Sequence, residues 1–254
     1  MTGFSLADRL RAGETVPTGW CGMASPLVAE LIAREGYPCV TLDQQHGLYD
    51  MPTTFAGIAA IRAGGAAAVV RIPQGGFSVA SRVLDAGAEG IIAPMINTIE
   101  DAKAFVAATK FPPIGARSWG PSRASQLTGV HKGDYLKAAN DAVLTFAMIE
   151  TRTAIKNVDA ILAMPGIDAA FVGPSDLSIT LTDGRTLDPH SKEVDAAIDT
   201  IIAAAQKAGK IAGAYTATPE RALELEQRGF RFFAIASDTA FLQAGASAAL
   251  KKFK

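Results

Sequence analysis

The chain has 254 residues, of which 49% are hydrophobic, with 24 Lys and Arg against 25 Asp and Glu and a net charge of −1. That length holds one large α/β domain or two small ones, each with a substantial core. The balanced charge excludes a basic field for nucleic acid and a polybasic membrane anchor, so the expected partners are small molecules or further copies of the chain.

The N-terminus carries charges from Asp8 onward and no apolar run of about 18 residues follows anywhere, so neither a secretory signal nor a membrane span is predicted and a cytoplasmic location is expected. Short apolar, β-branched segments predict strands at 19–23, 38–43, 67–72, 90–94, 144–150, 169–173, 211–215 and 230–236. Cys21 and Cys39 each fall in one of them, where a small buried thiol in a reducing compartment is the ordinary reading. Helical periodicity fills the gaps at 25–35, where Leu27, Leu31 and Ile32 share a face, and at 98–109, 153–163, 191–208 and 219–228. Glycines such as Gly36, Gly166, Gly209 and Gly229 end helices just before strands. Eight βα units with strands too apolar to be half exposed predict one (β/α)8 TIM barrel over residues 1–254. No glycine-rich dinucleotide turn follows the first strand, which disfavours an open nucleotide-binding sheet. One long interruption, 110–140, reads as a functional or mobile loop. The final segment, 239–254, reads as a helix that either seals the barrel or packs on a neighbouring subunit.

A parallel barrel builds its site at the carboxyl ends of its strands, and the polar residues there are few. Asp43 ends the second strand with His46 just beyond it, Arg71 ends the third, Glu150 the fifth, and Gly173, Pro174, Ser175 and Asp176 follow the sixth. Glu150 and Asp176 stand one βα repeat apart, which suits a shared divalent cation with oxygen ligands, Mg²⁺ or Mn²⁺ with Co²⁺ also compatible. The alternative roles are an ion pair of Glu150 with Arg152 and a helix cap by Asp176. Arg71 is a fork suited to a carboxylate or an enolate oxygen, or else to a structural pair with Asp43 or Glu150. His46 sits where a general base is needed, with Asp43 three residues earlier to fix its tautomer, while His131 and His190 lie in polar stretches elsewhere. No lysine falls at the carboxyl end of a predicted strand, which disfavours an imine-forming aldolase.

In order and spacing, DQQHG, VVRIP, GAEGIIAPMINTIEDAKAFVAATKFPPIGARSWGPSRA, MIET and MPGIDAAFVGPSDLS resemble the HpcH/HpaI family of class II pyruvate aldolases over nearly the whole chain. The resemblance implies a metal-dependent carbon–carbon lyase that cleaves a 4-hydroxy-2-oxo acid into an aldehyde and pyruvate through an enolate. It maps the metal ligands onto Glu150 and Asp176, the base onto His46 with Asp43 as its dyad acid, and the enolate-stabilising arginine onto Arg71. Substrate contacts map onto Arg71, Met148, Ser175 and Asp176. An acid that raises the histidine's basicity maps onto Asp85, which lies at a helix end before the fourth strand and so would act from another subunit of a homohexamer with exchanged C-terminal helices. Two positions depart from the family pattern: Gln45 stands where a glutamate is usual, and Met148 where a glutamine is. Both predict an altered pocket, whose rim is expected from Arg117, Ser118, Trp119, Arg123 and Tyr215. A CoA-ester lyase of the citrate or malyl type and a non-catalytic metal- or 2-oxo-acid-binding barrel are the rival readings.

Overall fold

The computed structural model describes residues 3–253. Eight parallel strands, β1 (Val16–Cys21), β2 (Cys39–Asp43), β3 (Ala67–Arg71), β4 (Gly90–Ala93), β5 (Leu144–Met148), β6 (Ala169–Val172), β7 (Ile211–Thr216) and β8 (Phe232–Ile235), close in sequence order, with β8 returning to β1. The expected (β/α)8 barrel is therefore what the chain forms.

Strand alternation sorts the side chains into two cores. Val16 and Trp20 of β1, Cys39 of β2, Ala67 and Val69 of β3, Phe146 and Met148 of β5, and Phe171 of β6 fill the barrel interior. The intervening Val40, Leu42, Ala68, Val70, Ala147 and Val172 face the helices. The same period carries β2 to Asp43 and β3 to Arg71 as the next inward residues, and the two are paired directly in the ladder. The floor is closed by the helix Leu6–Arg11, whose Leu6, Ala7 and Leu10 join the interior cluster. Buried Glu89 holds that helix in place, accepting from the amides of Ser5 and Leu6 and pairing with Arg62.

Three expectations are corrected. The first strand lies at Val16–Cys21 instead of 19–23, because Pro17, which reads as a strand breaker, sits in the ladder opposite Phe233. The stretch 110–140 is not an open loop: it contains helices Ser122–Thr128 and Lys132–Ala142, and Phe111, Ala124, Tyr135 and Ala139 form a core of their own. In the helix Pro26–Arg34 it is Ala29, Ile32 and Ala33 that are buried, while Leu27 and Leu31 are exposed.

Lys110 is buried below that stretch. Its Nζ donates to the carbonyls of Asn140 and Val143 at 2.7 and 2.6 Å and to Asp168 Oδ2 at 2.7 Å. Burial pulls its pKa down against the pull of Asp168. Asp168 immediately precedes β6, so this lysine belongs to the amino-terminal end, away from the mouth. The last helix runs Asp238–Leu250 and passes into a short 3-10 turn, Lys251–Phe253; Lys254 of the predicted helix lies outside the described residues. No helix among the described residues is long and apolar enough to cross a membrane.

Candidate active site

At the carboxyl end a cavity of about 170 Å³ is walled by Trp20, His46, Arg71, Met148, Phe171, Gly173, Pro174, Ser175, Asp176 and Tyr215. The structure thus brings together His46, Arg71, Met148, Ser175 and Asp176, with Glu150 buried beneath them.

Arg71 and Asp43 form a two-pronged pair, Nε to Oδ1 at 2.8 Å and Nη2 to Oδ2 at 2.6 Å. Asp43 also accepts from Trp20 Nε1 at 3.3 Å and from the backbone amides of Gln45 and His46 at 3.0 and 3.3 Å. Burial alone would raise the Asp43 pKa, but the bond and charge of Arg71 together with the two amides hold it below the usual carboxylate range. The guanidinium lies 4.8 Å from the centre of the Trp20 ring, which fixes its plane. Nη1 is left with no protein partner among the described residues, on a side chain that lines the cavity. The expectation that Asp43 fixes the His46 tautomer is therefore corrected: Asp43 reaches the backbone of His46, not its ring, because both carboxylate oxygens are committed to Arg71. The His46 side chain is exposed at the cavity wall.

Glu150 follows β5 by two residues and is 1% exposed. Its Oε1 accepts from the Met95 amide at 2.8 Å, and Met95 adopts a left-handed φ of +57°. A non-glycine residue there is strained, and the buried charge-assisted bond compensates. Neither alternative role for the two carboxylates is realised. Arg152 turns away to the carbonyls of Thr180 and Leu181, and Asp176 lies in the first turn of the helix Pro174–Leu181, whose N-cap is Gly173. Desolvation, with the negative charge of Asp176 adding to it, raises the Glu150 pKa from 4.5 to about 7, against the Met95 bond and the Arg71 charge. Two carboxyl groups at close range, one of them desolvated, oppose each other's ionisation.

Gly173 keeps the approach open. A Cβ at this position would sit 2.5 Å from Glu150 Oε2 and 3.0 Å from Met148 Cε, so any side chain here displaces the carboxylate. Among the described residues no three His, Cys, Asp or Glu side chains cluster as a metal site.

Asp85 ends the helix Phe77–Asp85 and is held by Arg117 Nη2 at 2.6 Å. It faces a different cleft, of about 440 Å³, with Phe55, Arg82, Gly120 and Arg123, and shares no wall with His46. Within one chain the two do not meet. The expected rim is corrected for the same reason: Arg117 is buried against Asp85 and Phe111, Trp119 packs on Phe111 and Tyr135, and Arg123 belongs to the second cleft. Of the rim residues foreseen, Tyr215 alone lines the cavity, edge-on to Trp20. Gln45 stands off the cavity wall, its half-buried amide leaving Oε1 without a partner among the described residues, whereas Met148 does line the wall. Trp20 and Phe171 were not foreseen as site residues; counting inward alternation from Val16 and Ala169 reaches both.

The family model described as HpcH/HpaI aldolase/citrate lyase matches residues 18–244. The chain belongs to the HpcH/HpaI family. It is 38% identical over 234 residues, 92% of each chain, to a hydroxypyruvate/pyruvate aldolase of Rhizorhabdus wittichii. It is 35% identical over 249 residues, 98% of this chain and 93% of the relative, to a 4-hydroxy-2-oxo-heptane-1,7-dioate aldolase of Klebsiella pneumoniae. The crystal structure of an HpcH/HpaI aldolase from Desulfitobacterium hafniense superposes with a TM-score of 0.91 at 28% identity, over 99% of this chain and 97% of that one. The family match spans every residue that walls the cavity, from Trp20 to Tyr215.

Proposed function

We propose that this HpcH/HpaI protein is a divalent-metal-dependent pyruvate aldolase, an aldehyde-lyase that reversibly cleaves a 4-hydroxy-2-oxo acid to pyruvate and an aldehyde. The observation that carries the reading is the convergence of a guanidinium, a histidine and two crowded carboxylates on one small cavity. Glu150 and Asp176 would hold Mg²⁺, Mn²⁺ or Co²⁺, and the residues fit it: Glu150 has one oxygen on the Gly173 gap and makes no ion pair among the described residues. When bound, the ion supplies Lewis-acid polarisation of the 2-oxo group and charge neutralisation.

The chain's own residues do the rest. Arg71 Nη1 donates to the substrate's keto oxygen, and Asp43 and Trp20 keep the fork in that plane. His46 takes the proton of the C4 hydroxyl; its oxygen's electrons form the aldehyde carbonyl as the C3–C4 bond breaks, and that bond's electrons pass into the enolate facing Arg71. The imidazolium then returns its proton to C3, giving pyruvate. Ser175 and Met148 border the same space and contact the substrate, Met148 without the hydrogen bond an amide would add, worth roughly 0.5–1.5 kcal/mol. Because no lysine lines the cavity and Lys110 is locked at the other end, borohydride added with pyruvate should leave activity intact. Irreversible inactivation with a mass increase on a lysine would sink the reading.

Assembly belongs to the same proposal. The helix Asp238–Leu250 buries Asp238 alone, while Leu242 and Leu250 are 61% and 56% exposed, and Leu27 and Leu31 add a second bare apolar face. Such surface favours association with further copies of the chain, as in the hexamer the resemblance implies, and a neighbour is the route by which Asp85 could reach a histidine. Light scattering in solution should return at least twice the chain mass of 26.4 kDa; a monomer at micromolar concentration would exclude Asp85 from the reaction.

A further inference from the structure

A second, narrower cavity of about 60 Å³ backs on to the catalytic one, and Pro174, Ser175 and Tyr215 wall both. Its inner lining is apolar: Val172 and Ala214 from the outward faces of β6 and β7, with Ile198 and Leu225 from the covering helices. At roughly 10–15 Å³ for each water-sized group, it admits a chain of about four methylenes.

Charge decides what that chain carries. Arg221 reaches the lining, but its Nη2 is bound to Asp195 at 2.5 Å and its Nη1 to Glu224 at 2.5 Å. His190 is exposed. In the catalytic cavity Arg71 is the one arginine or lysine in the wall; its Nε and Nη2 are held by Asp43, and its Nη1 is the donor assigned above to the keto oxygen. A second carboxylate on the aldehyde finds no uncommitted arginine or lysine in either wall, whereas an alkyl chain finds the apolar inner lining.

We propose that the aldehyde partner is a neutral aliphatic aldehyde of about four to six carbons, whose chain runs past Ser175 into this side cavity. The proposal rests on the aldolase reading above. Initial rates with pyruvate and Mn²⁺ across ethanal, butanal, hexanal and succinic semialdehyde test it. Burying each methylene is expected to raise kcat/KM roughly fourfold, so butanal exceeds ethanal by about tenfold or more and also exceeds succinic semialdehyde. Ala217, an exposed residue on the wall of the side cavity, supplies the control. Ala217→Phe should abolish the gain for butanal and hexanal and leave ethanal within about twofold, with Ala217→Leu intermediate. A flat or falling series, a preference for succinic semialdehyde, or a gain that survives in Ala217→Phe overturns the proposal. Solvent-proton exchange at pyruvate C3, measured in parallel, separates the two levels: exchange with a flat series rejects the side cavity alone, and no exchange rejects the aldolase reading itself.

Discussion

Arg71→Ala is expected to lower kcat/KM for aldol cleavage by about 10²–10³-fold, the usual cost of removing a donor from a developing oxyanion. The loss has two physical parts. The enolate oxygen loses Nη1, and Asp43 is left as a buried carboxylate whose remaining donors are Trp20 and two backbone amides. The second part destabilises the fold as well, since breaking a buried ion pair from one side costs about 3–5 kcal/mol where burial is complete, and less here because Arg71 keeps 11% of its side-chain surface. Arg71→Lys separates the parts. It restores a positive charge to Asp43 but not the fork, so thermal stability should largely return while kcat stays low. Kinetics together with thermal melts check this; an alanine variant within tenfold of wild type would mean the enolate oxygen lies elsewhere.

Glu150→Gln should cost at least as much activity, about 10²–10³-fold or more, with the opposite effect on the metal-free fold. The folded-state pKa is raised from 4.5 to about 7, so the folded protein holds a proton there that the unfolded chain releases. That contribution to stability is complete below about pH 4.5 and is lost as pH rises through about 7. At pH 8 the buried carboxylate is ionised beside Asp176 and opposes folding. The amide removes the charge, so metal-free Glu150→Gln should melt a few degrees above metal-free wild type at pH 8. Mn²⁺ should then raise the wild-type Tm and not that of the variant. Equal melting temperatures without metal would show that Glu150 is not held as an uncompensated charge.

How much was legible in the sequence follows from how local each signal is. Arg71 and Asp43 could be placed at strand ends because β3 and β2 are short apolar runs that stop at a charge, and the barrel rule then sends both to one mouth. Their pairing with each other was one of two partners open to Arg71, and only the ladder register, Asp43 opposite Arg71, selects it. That pairing removed Asp43 from the His46 ring, which no spacing in DQQHG reveals. Trp20 falls inside the expected first strand, but only the closed barrel shows which of that strand's two faces is the interior one. The rim failed for a tertiary reason: Arg117 lies in a stretch that folds into its own small core against Phe111 and Tyr135, so a segment that reads as an exposed loop is packed. Gln45 drew notice as a departure from the family pattern, yet it is Met148 and Gly173 that border the reacting space.

The central claim is that this cavity makes an enolate of pyruvate with a divalent ion on Glu150 and Asp176. Exchange of the pyruvate methyl protons for deuterium, followed by proton NMR in D2O without any aldehyde, tests it most directly, because it needs the enolate and nothing of the acceptor. Exchange should proceed with Mg²⁺, stop on addition of a chelator, return with excess Mg²⁺, and be absent in Arg71→Ala. Exchange that persists unchanged in the chelator, or a metal-loaded wild-type protein that exchanges no protons, would contradict it.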